Sequence, residues 1–128
     1  MENSHLKFHI SSFGFSYRGR DRTFKSKINQ DSFICNQNLG GITTLFGVFD
    51  GHGANGHHVS NFIAKRLPFI LSENAFNLKS MISIFGSKDN FSRSKMKGII
   101  EQSISQVAKE TLENENIDCQ FSGSTSIV

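Results

Sequence analysis

The sequence predicts an α+β fold from three observations. Short segments of alternating or β-branched apolar residues, which are typical of strands, occur in the first fifty residues and again at the end of the chain. Two longer segments between them carry apolar residues at helical spacing. The composition agrees with a folded domain, because 37% of the 128 residues are hydrophobic and only 20% are charged. A chain of this length forms one domain or part of a larger one.

Three strands are predicted in the first fifty residues. The first lies around residues 8–15, where large and small side chains mostly alternate. A polar and basic loop at residues 17–27 separates it from a short second strand at residues 31–36. Turn residues at 38–41 then lead into a buried strand at residues 42–49, which is rich in apolar and β-branched side chains.

A helix is predicted after residue 53, and Pro68 is expected to end it because proline lacks the N–H that a helix interior requires. A short helix is predicted around residues 78–85. The apolar residues that recur at helical spacing in the first helix are Val59, Phe62, Ile63 and Leu67.

A second long helix is predicted over residues 94–113, with Ser92 or Ser94 as its N-cap. Residues 114–120 read as a loop. Residues 121–128 are strand-forming and end without a terminating signal, so the chain is expected to be cut inside a strand. The predicted apolar face of this helix consists of Met96, Ile99, Ile100, Ile104, Val107 and Leu112.

Composition also excludes several classes of protein. The net charge of +3 is mild and no element that reads nucleic acid is recognisable, so nucleic-acid binding is not expected. Two cysteines without a CxxC pattern predict neither a disulfide framework nor a zinc site. The N-terminus does not resemble a signal peptide, and no apolar run is long enough to cross a bilayer. We therefore expect no membrane association and a cytoplasmic or nuclear location.

The most informative segment is residues 45–53, where an apolar strand ends in Asp50, Gly51 and His52. A carboxylate at a strand end suits Mg²⁺ or Mn²⁺, which prefer oxygen ligands. Gly51 lacks a side chain, so its carbonyl could approach an ion closely. His52 could protonate a leaving group. The alternative is an ordinary turn, because Asp-Gly is common in turns.

Three motifs together resemble the PPM (protein phosphatase 2C) family of metal-dependent serine/threonine phosphatases. They are Phe-Asp-Gly-His-Gly at residues 49–53, Lys-Ile-Asn-Gln-Asp-Ser-Phe at 27–33 and Phe-Ser-Gly-Ser-Thr at 121–125. The resemblance implies that residues 13–128 are the N-terminal half of a four-layer α/β/β/α sandwich of two antiparallel sheets flanked by helices. Residues 1–12 would be an N-terminal extension that includes the start of the first strand.

The resemblance also implies a role for each matching residue. Asp50 would bridge two Mg²⁺ or Mn²⁺ ions, and the Gly51 carbonyl would ligate one of them. His52 would be the general acid toward the leaving oxygen, while Asp31 and Gln30 would hold metal-bound water. The implied reaction is attack of a metal-activated water on the phosphate of a phosphoserine or phosphothreonine protein.

Two positions depart from the family pattern. Many members have glutamate where this chain has Gln30, before Asp31, and a neutral amide predicts weaker metal binding rather than none. The phosphate-binding arginine of the family would fall at or beside Ser26, which is not basic. Lys25 or Lys27 could replace it as a point charge, or both could be solvated loop lysines.

Three functions are therefore weighed. The favoured one is a phosphatase of which this chain supplies only part of the active site. The second is a catalytically inactive relative that acts as a protein-binding module, and the third is a metal-dependent nuclease, which two of the three motifs do not support. Strands left without their later partners also predict poor stability or self-association of the isolated chain.

Overall fold

The computed structural model describes residues 11–39, 43–85 and 89–128. The three strands in it form one antiparallel sheet in the order β1-β2-β3, so that β2 is the central strand. The α+β prediction is confirmed. In chain order the elements are strand β1 (Asp31–Leu39), strand β2 (Thr43–Gly53), helix α1 (Gly56–Phe85), helix α2 (Asp89–Leu112) and strand β3 (Ser122–Ser124).

The register of β1 on β2 decides which side chains share a face of the sheet. Asp31 lies opposite Asp50 and Phe33 lies opposite Val48, with an irregularity after Ile34. Because opposite residues of an antiparallel pair project to the same side, these four side chains lie on one face. Ile34 is buried and lies on the other face.

Helix α1 joins the sheet to the rest of the fold. It packs against all three strands, and α2 packs against α1. Within the described residues, neither helix has an apolar stretch of the length that crossing a bilayer requires. The buried apolar cluster between these elements consists of Ile34, Leu39, Phe49, Leu67, Ile70, Leu71 and Val107.

The prediction that Pro68 ends the first helix is wrong. Helix α1 continues through Pro68 to Phe85, and the short helix predicted at residues 78–85 is its last part. A proline inside a helix costs about 3 kcal/mol through a lost hydrogen bond and a steric clash. Leu67, Ile70 and Leu71 around it are all nearly inaccessible to solvent. Burial of each such side chain contributes about 1.5–3 kcal/mol, so tertiary packing outweighs the cost of the proline.

The second long helix is confirmed, but it begins at Asp89, earlier than predicted. Ser92 and Ser94 therefore lie inside the helix, and neither is its N-cap. The N-cap prediction rests on a serine that directly precedes the apolar pattern. It is wrong because the helix begins several residues before that pattern.

The face that α2 buries is also rotated from the predicted one. Val107 is buried as expected, but Ile104 is 40% exposed and Leu112 is 74% exposed. Ser103 and Thr111 occupy the buried stripe instead. Both hydroxyl groups are satisfied, because Ser103 accepts a hydrogen bond from Asn74 and Thr111 donates one to the Val107 carbonyl. Small polar residues with partners can therefore replace apolar ones where the two helices approach closely.

The predicted strand around residues 8–15 is not a strand where the structure describes it. Residues 1–10 lie outside the described part, and residues 11–15 are irregular. Phe13, Phe15 and Tyr17 alternate in sequence but are between 71% and 89% exposed. Alternation alone does not make a strand when no neighbouring strand pairs with the segment.

One face of the sheet is apolar and exposed. Phe33, Phe46 and Val48 lie on the side away from the helices, with exposed fractions between 40% and 56%. The ring of Phe33 is covered only in part, by contact with Gly14. Contiguous exposed apolar residues on a sheet typically mark a surface that packs against another surface. We call these three residues the open sheet face.

We predict that the open sheet face drives self-association of this chain. Changing Phe46 and Val48 to threonine keeps residues that favour strands but removes apolar area. Loss of one buried apolar side chain is worth about 1.5 kcal/mol, so the dimer dissociation constant should rise at least about tenfold. Sedimentation velocity measures this directly. Phe69→Thr is the control, because Phe69 is 64% exposed on α1 and lies outside the open sheet face. An equal effect of both variants would contradict the prediction.

Candidate metal centre

Asp31 and Asp50 face each other across two paired strands. Asp31 is the first residue of β1, and its partner in the register is Asp50 near the end of β2. The neighbouring Gly51 N–H donates to the Gln30 carbonyl at 3.2 Å. Asp31 and Asp50 therefore occupy a non-hydrogen-bonded position, where Cα atoms are about 4.5 Å apart. Like charges directly opposite each other destabilise a strand pair, and a cation between them would remove that repulsion.

His52 shares the face of these two carboxylates. It lies two residues after Asp50 on the same strand, and strand side chains repeat with a period of two. Its partner in β3 is Gly123, and a Cβ at that glycine would lie 2.8 Å from His52 Nε2. The imidazole is therefore packed over a residue without a side chain while remaining exposed to solvent. The structure places Asp31, Asp50 and His52 on one face of the sheet, and their catalytic and metal-binding roles stay predictions.

Gly51 lies where the backbone of Gln30, just before β1, and the backbone of Gly56, the first residue of α1, both approach β2 closely. A Cβ at Gly51 would lie 2.5 Å from the Gln30 carbonyl oxygen and closer still to the carbonyl oxygen of Gly56, the first residue of α1. Real Cβ atoms essentially never come within 3.0 Å of such atoms. A glycine is thus required here by packing, independently of any ion. The role of its carbonyl as a metal ligand stays a prediction.

The end of β2 is held by Gln30. Its side-chain Nε2 donates to the carbonyl of Gly53 at 2.6 Å. Gly53 has φ +84°, and a Cβ there would collide with the carbonyl of Phe121, so only glycine suits this turn. The side-chain amide of Gln30 therefore stabilises the turn that follows Asp50 at the end of β2. Its predicted contact with metal-bound water stays a prediction.

We predict opposite effects of Gln30→Glu on stability and on metal affinity. A glutamate carboxylate cannot donate to the Gly53 carbonyl and leaves that acceptor unpaired, which costs about 1–2 kcal/mol. The added negative charge next to Asp31 should tighten Mn²⁺ binding. Urea denaturation without metal and calorimetric titration with Mn²⁺ measure the two effects. Gln120→Glu, at an exposed loop residue, is the control. A Gln30→Glu variant as stable as the parent chain would contradict the stabilising role of the Gln30 amide.

Two serines support the site and were not predicted from the sequence. The hydroxyl of Ser60, which is fully buried on α1, donates to the Gln30 carbonyl at 2.5 Å and lies 3.1 Å from the hydroxyl of Ser32. The Ser122 hydroxyl accepts from the Asn55 N–H at 2.8 Å, just before α1 begins. The only sequence signal for Ser60 is a polar residue beside Val59 on an otherwise apolar helix face.

Lys25 and Lys27, the predicted phosphate contacts, lie in a hydrogen-bonded turn before β1. Both are exposed, and their backbone groups pair with Asp21 and Gly19. Neither lysine forms an ion pair with another described residue within 4.0 Å. Their phosphate-binding role stays a prediction.

The donor set fits Mg²⁺ or Mn²⁺ in kind but not in number. Facing carboxylates supply the hard oxygen ligands that these ions prefer, and the apposed like charges favour a cation between them. Among the described residues, no group of three or more His, Cys, Asp or Glu side chains could hold an ion. Octahedral coordination of Mg²⁺ needs six ligands, so the remaining ligands would come from water, backbone carbonyls or groups outside the described residues.

Comparison with known proteins relates the chain to one family. No family model matches it. Probable protein phosphatase 2C 72 of Arabidopsis thaliana is 35% identical over 102 residues, which cover 79% of this chain and 29% of the relative. Probable protein phosphatase 2C 35 of the same plant is 32% identical over 114 residues, covering 88% of this chain and 28% of the relative.

A third relative comes from another plant. Probable protein phosphatase 2C 64 of Oryza sativa subsp. japonica is 30% identical over 122 residues, covering 88% of this chain and 26% of the relative. The chain is related to the protein phosphatases 2C. It matches less than a third of the length of each of these three relatives. The phosphatase 2C relationship therefore covers part of a domain.

Proposed function

We propose that this chain supplies part of the active site of a metal-dependent phosphatase that acts on phosphoserine and phosphothreonine proteins. The observation that carries the proposal is the register of β1 on β2, which sets Asp31 opposite Asp50. His52 follows on the same face. Protein phosphatase 2C relatives over most of the chain support the same reaction class.

Each residue of the face has a distinct proposed task. Asp50 and the Gly51 carbonyl would hold two Mg²⁺ or Mn²⁺ ions, and Asp31 would accept hydrogen bonds from water around them. When bound, the ions would supply a water of lowered pKa as nucleophile and would offset charge on the phosphoryl oxygens. His52 would donate a proton to the departing serine or threonine oxygen. Its exposed imidazole would regain that proton from solvent.

The open sheet face suits the four-layer architecture proposed for the complete domain. Phe33, Phe46 and Val48 lie on the face opposite to the helical layer. In a sandwich, this face would pack against a second sheet at a spacing of about 10 Å. The carboxylates at its end would then lie between the two sheets, where additional ligands could reach the ions.

A chimera tests the proposal. The matching 102 residues of the Arabidopsis phosphatase 2C 72 would be replaced by the corresponding part of this chain. We expect the chimera to hydrolyse a phosphothreonine peptide with Mn²⁺, and we expect Asp50→Ala in the chimera to remove that activity. The unmodified relative is the positive control, and Asp118→Ala is the matched control because Asp118 lies in an exposed loop. A folded but inactive chimera beside an active relative would overturn the proposal.

A second candidate function is a catalytically inactive protein-binding module. It is favoured by the Gln30 side chain, which donates to the Gly53 carbonyl, and by the absence of a three-residue metal cluster among the described residues. A partner would then be captured equally well by the chain and by its Asp50→Ala variant. Loss of capture in that variant would exclude this second function.

A further inference from the structure

Residues 18–27 form a segment of concentrated positive charge, which we call the basic hairpin. Five cationic side chains against one carboxylate leave a net charge of +4 in ten residues. The whole chain carries +3, so the other 118 residues carry a net charge of −1. All five cations are exposed. They are Arg18, Arg20, Arg22, Lys25 and Lys27.

The basic hairpin has a defined backbone structure. The Lys27 N–H donates to the Gly19 carbonyl at 2.9 Å, and the Asp21 N–H donates to the Lys25 carbonyl at 2.9 Å. A bridge between Arg20 and residue 26 lies between these two bonds. Hydrogen bonds on both sides of the bridge hold the two backbone segments of the hairpin together. The cations therefore extend from an ordered turn rather than from an irregular loop.

The one carboxylate of the basic hairpin is used inside it. Asp21 Oδ1 accepts from the Thr23 N–H at 2.8 Å, from the Thr23 hydroxyl at 2.7 Å and from the Lys25 N–H at 3.0 Å. The hydrogen bond from the Thr23 hydroxyl is the main cause that lowers the pKa of the Asp21 carboxyl below its ordinary value. This network also holds Phe24 in a left-handed conformation with φ 60° at the tip. Asp21 thus closes the turn with its oxygen lone pairs.

Within the described residues none of the five cations forms an ion pair within 4.0 Å, and the one electrostatic contribution among them is that of Lys27 to the lowered pKa of Asp21. The ion pairs there join Arg66 to Glu110, Lys97 to Glu101 within α2, and Lys109 to Glu113 just after α2 ends. None of these pairs includes the basic hairpin. A group of exposed arginines without carboxylate partners is suited to bidentate recognition of carboxylate or phosphate groups of another molecule.

The last residue of the basic hairpin is close in sequence to the candidate metal centre. The segments on either side of the basic hairpin are joined by the Asn29 side chain, which donates to the Ser16 hydroxyl at 2.8 Å. Lys27 precedes Asp31 by four residues, which span at most about 14 Å of chain. A peptide with a phosphorylated residue at Asp31 and Asp50 would therefore reach the basic hairpin with the residues that flank its phosphate.

We propose that the basic hairpin binds acidic residues that flank the phosphorylated residue of a peptide substrate. This inference rests on the proposed phosphatase function and adds a substrate class, namely phosphopeptides with a run of aspartate or glutamate beside the phosphate. The arginines would recognise the flanking carboxylates. The phosphate itself would lie toward the two aspartates and their ions.

Fluorescence anisotropy of labelled phosphothreonine peptides tests the proposal, with EDTA present so that no turnover occurs. One peptide carries a run of glutamates beside the phosphothreonine, and a matched peptide carries glutamines. We expect the chain to bind the acidic peptide more tightly than the glutamine peptide. The triple variant Arg18→Gln, Arg20→Gln, Arg22→Gln should weaken binding of the acidic peptide about tenfold. The control triple variant Lys65→Gln, Lys97→Gln, Lys109→Gln removes the same charge from the helices and should change binding less than about twofold.

Two variants of Asp21 distinguish binding by an ordered turn from binding by net positive charge alone. Asp21→Ala and Asp21→Asn each make the chain more positive by one charge. Only the asparagine retains an oxygen that can accept the Thr23 and Lys25 hydrogen bonds. We expect Asp21→Ala to weaken binding of the acidic peptide several-fold. Asp21→Asn should keep the affinity within about twofold, because an asparagine side-chain oxygen can accept the same backbone hydrogen bonds.

Three results would overturn the proposal. They are equal losses in the two triple variants, tighter binding by Asp21→Ala, and tighter binding of a single-stranded RNA of equal charge than of the acidic peptide. The outcome is independent of the chimera experiment, because binding is measured without metal. An active chimera without a peptide preference would overturn only the basic-hairpin proposal. A peptide preference with an inactive chimera would retain the binding site and overturn the hydrolysis.

Discussion

The Asp50→Asn variant is expected to lose Mn²⁺ binding while its metal-free form becomes slightly more stable than the parent chain. Asp50 and Asp31 are directly opposite each other, so the metal-free chain carries two like charges at a close position of the strand pair. Removing one charge relieves a repulsion worth about 0.5 kcal/mol. The same change removes a proposed ligand of the ions. Loss of a ligand should exceed the roughly 10–100-fold loss in affinity that supporting residues around metal sites produce.

Two measurements on the same variant check both signs. Urea denaturation in EDTA gives the free energy of unfolding without metal, and calorimetric titration gives the Mn²⁺ affinity. Asp118→Asn removes the same charge from an exposed loop and should leave Mn²⁺ affinity unchanged. If Asp50→Asn binds Mn²⁺ as tightly as the parent chain, Asp50 is not a metal ligand. If the variant is less stable without metal, the two carboxylates do not repel each other as the register implies.

The Gly51→Ala variant is expected to be destabilised by about 3 kcal/mol, which for a chain of this size lowers the melting temperature by about 12 °C. A methyl group at Gly51 would overlap the carbonyl oxygens of Gln30 and Gly56. Both obstructing atoms belong to the backbone, so no flexible side chain can move aside. Relief requires that β1 or the start of α1 shifts, and this would also displace the neighbouring Asp50.

Gly98→Ala is the matched control for this variant. Gly98 lies inside α2, and a Cβ there meets nothing within 4 Å beyond its chain neighbours and the helix's own backbone. Alanine in an unobstructed helical position stabilises a protein by about 0.5–1 kcal/mol relative to glycine. Thermal denaturation should therefore shift in opposite directions for the two glycines. A Gly51→Ala chain that melts within a few degrees of the parent would show that the close approach of α1 is not as tight as described.

The candidate site was partly predictable because its motifs are local. Asp50, Gly51 and His52 are adjacent in sequence at the end of an apolar run, and strand periodicity alone places the aspartate and the histidine on one face. The position of Asp31 opposite Asp50 depends on the register between two strands, which neither strand determines by itself. Ser60 could not be predicted, because its partners lie on the other side of the helix–sheet interface.

The errors in the predicted fold have the same origin. Pro68 carries a strong local signal for a helix end, but buried side chains on both sides of it retain the helix. On α2, the apolar pattern favoured Leu112, which is exposed, over Thr111, which is buried. Local propensity competes in each case with packing between distant segments, and packing has the larger free energy.

The attachment of β3 makes the completion of the site a late event in folding. The β1–β2 hairpin joins residues close in sequence, whereas the Asn55 N–H finds its partner 67 residues further along, at Ser122. Closing so long a loop is slow and entropically costly. During synthesis, the two aspartates would meet before Gly123 arrives beneath His52. In pulsed hydrogen exchange during refolding, the Gly51 amide, bonded within the hairpin region, should therefore become protected before the Thr125 amide, which is bonded to the Asp50 carbonyl.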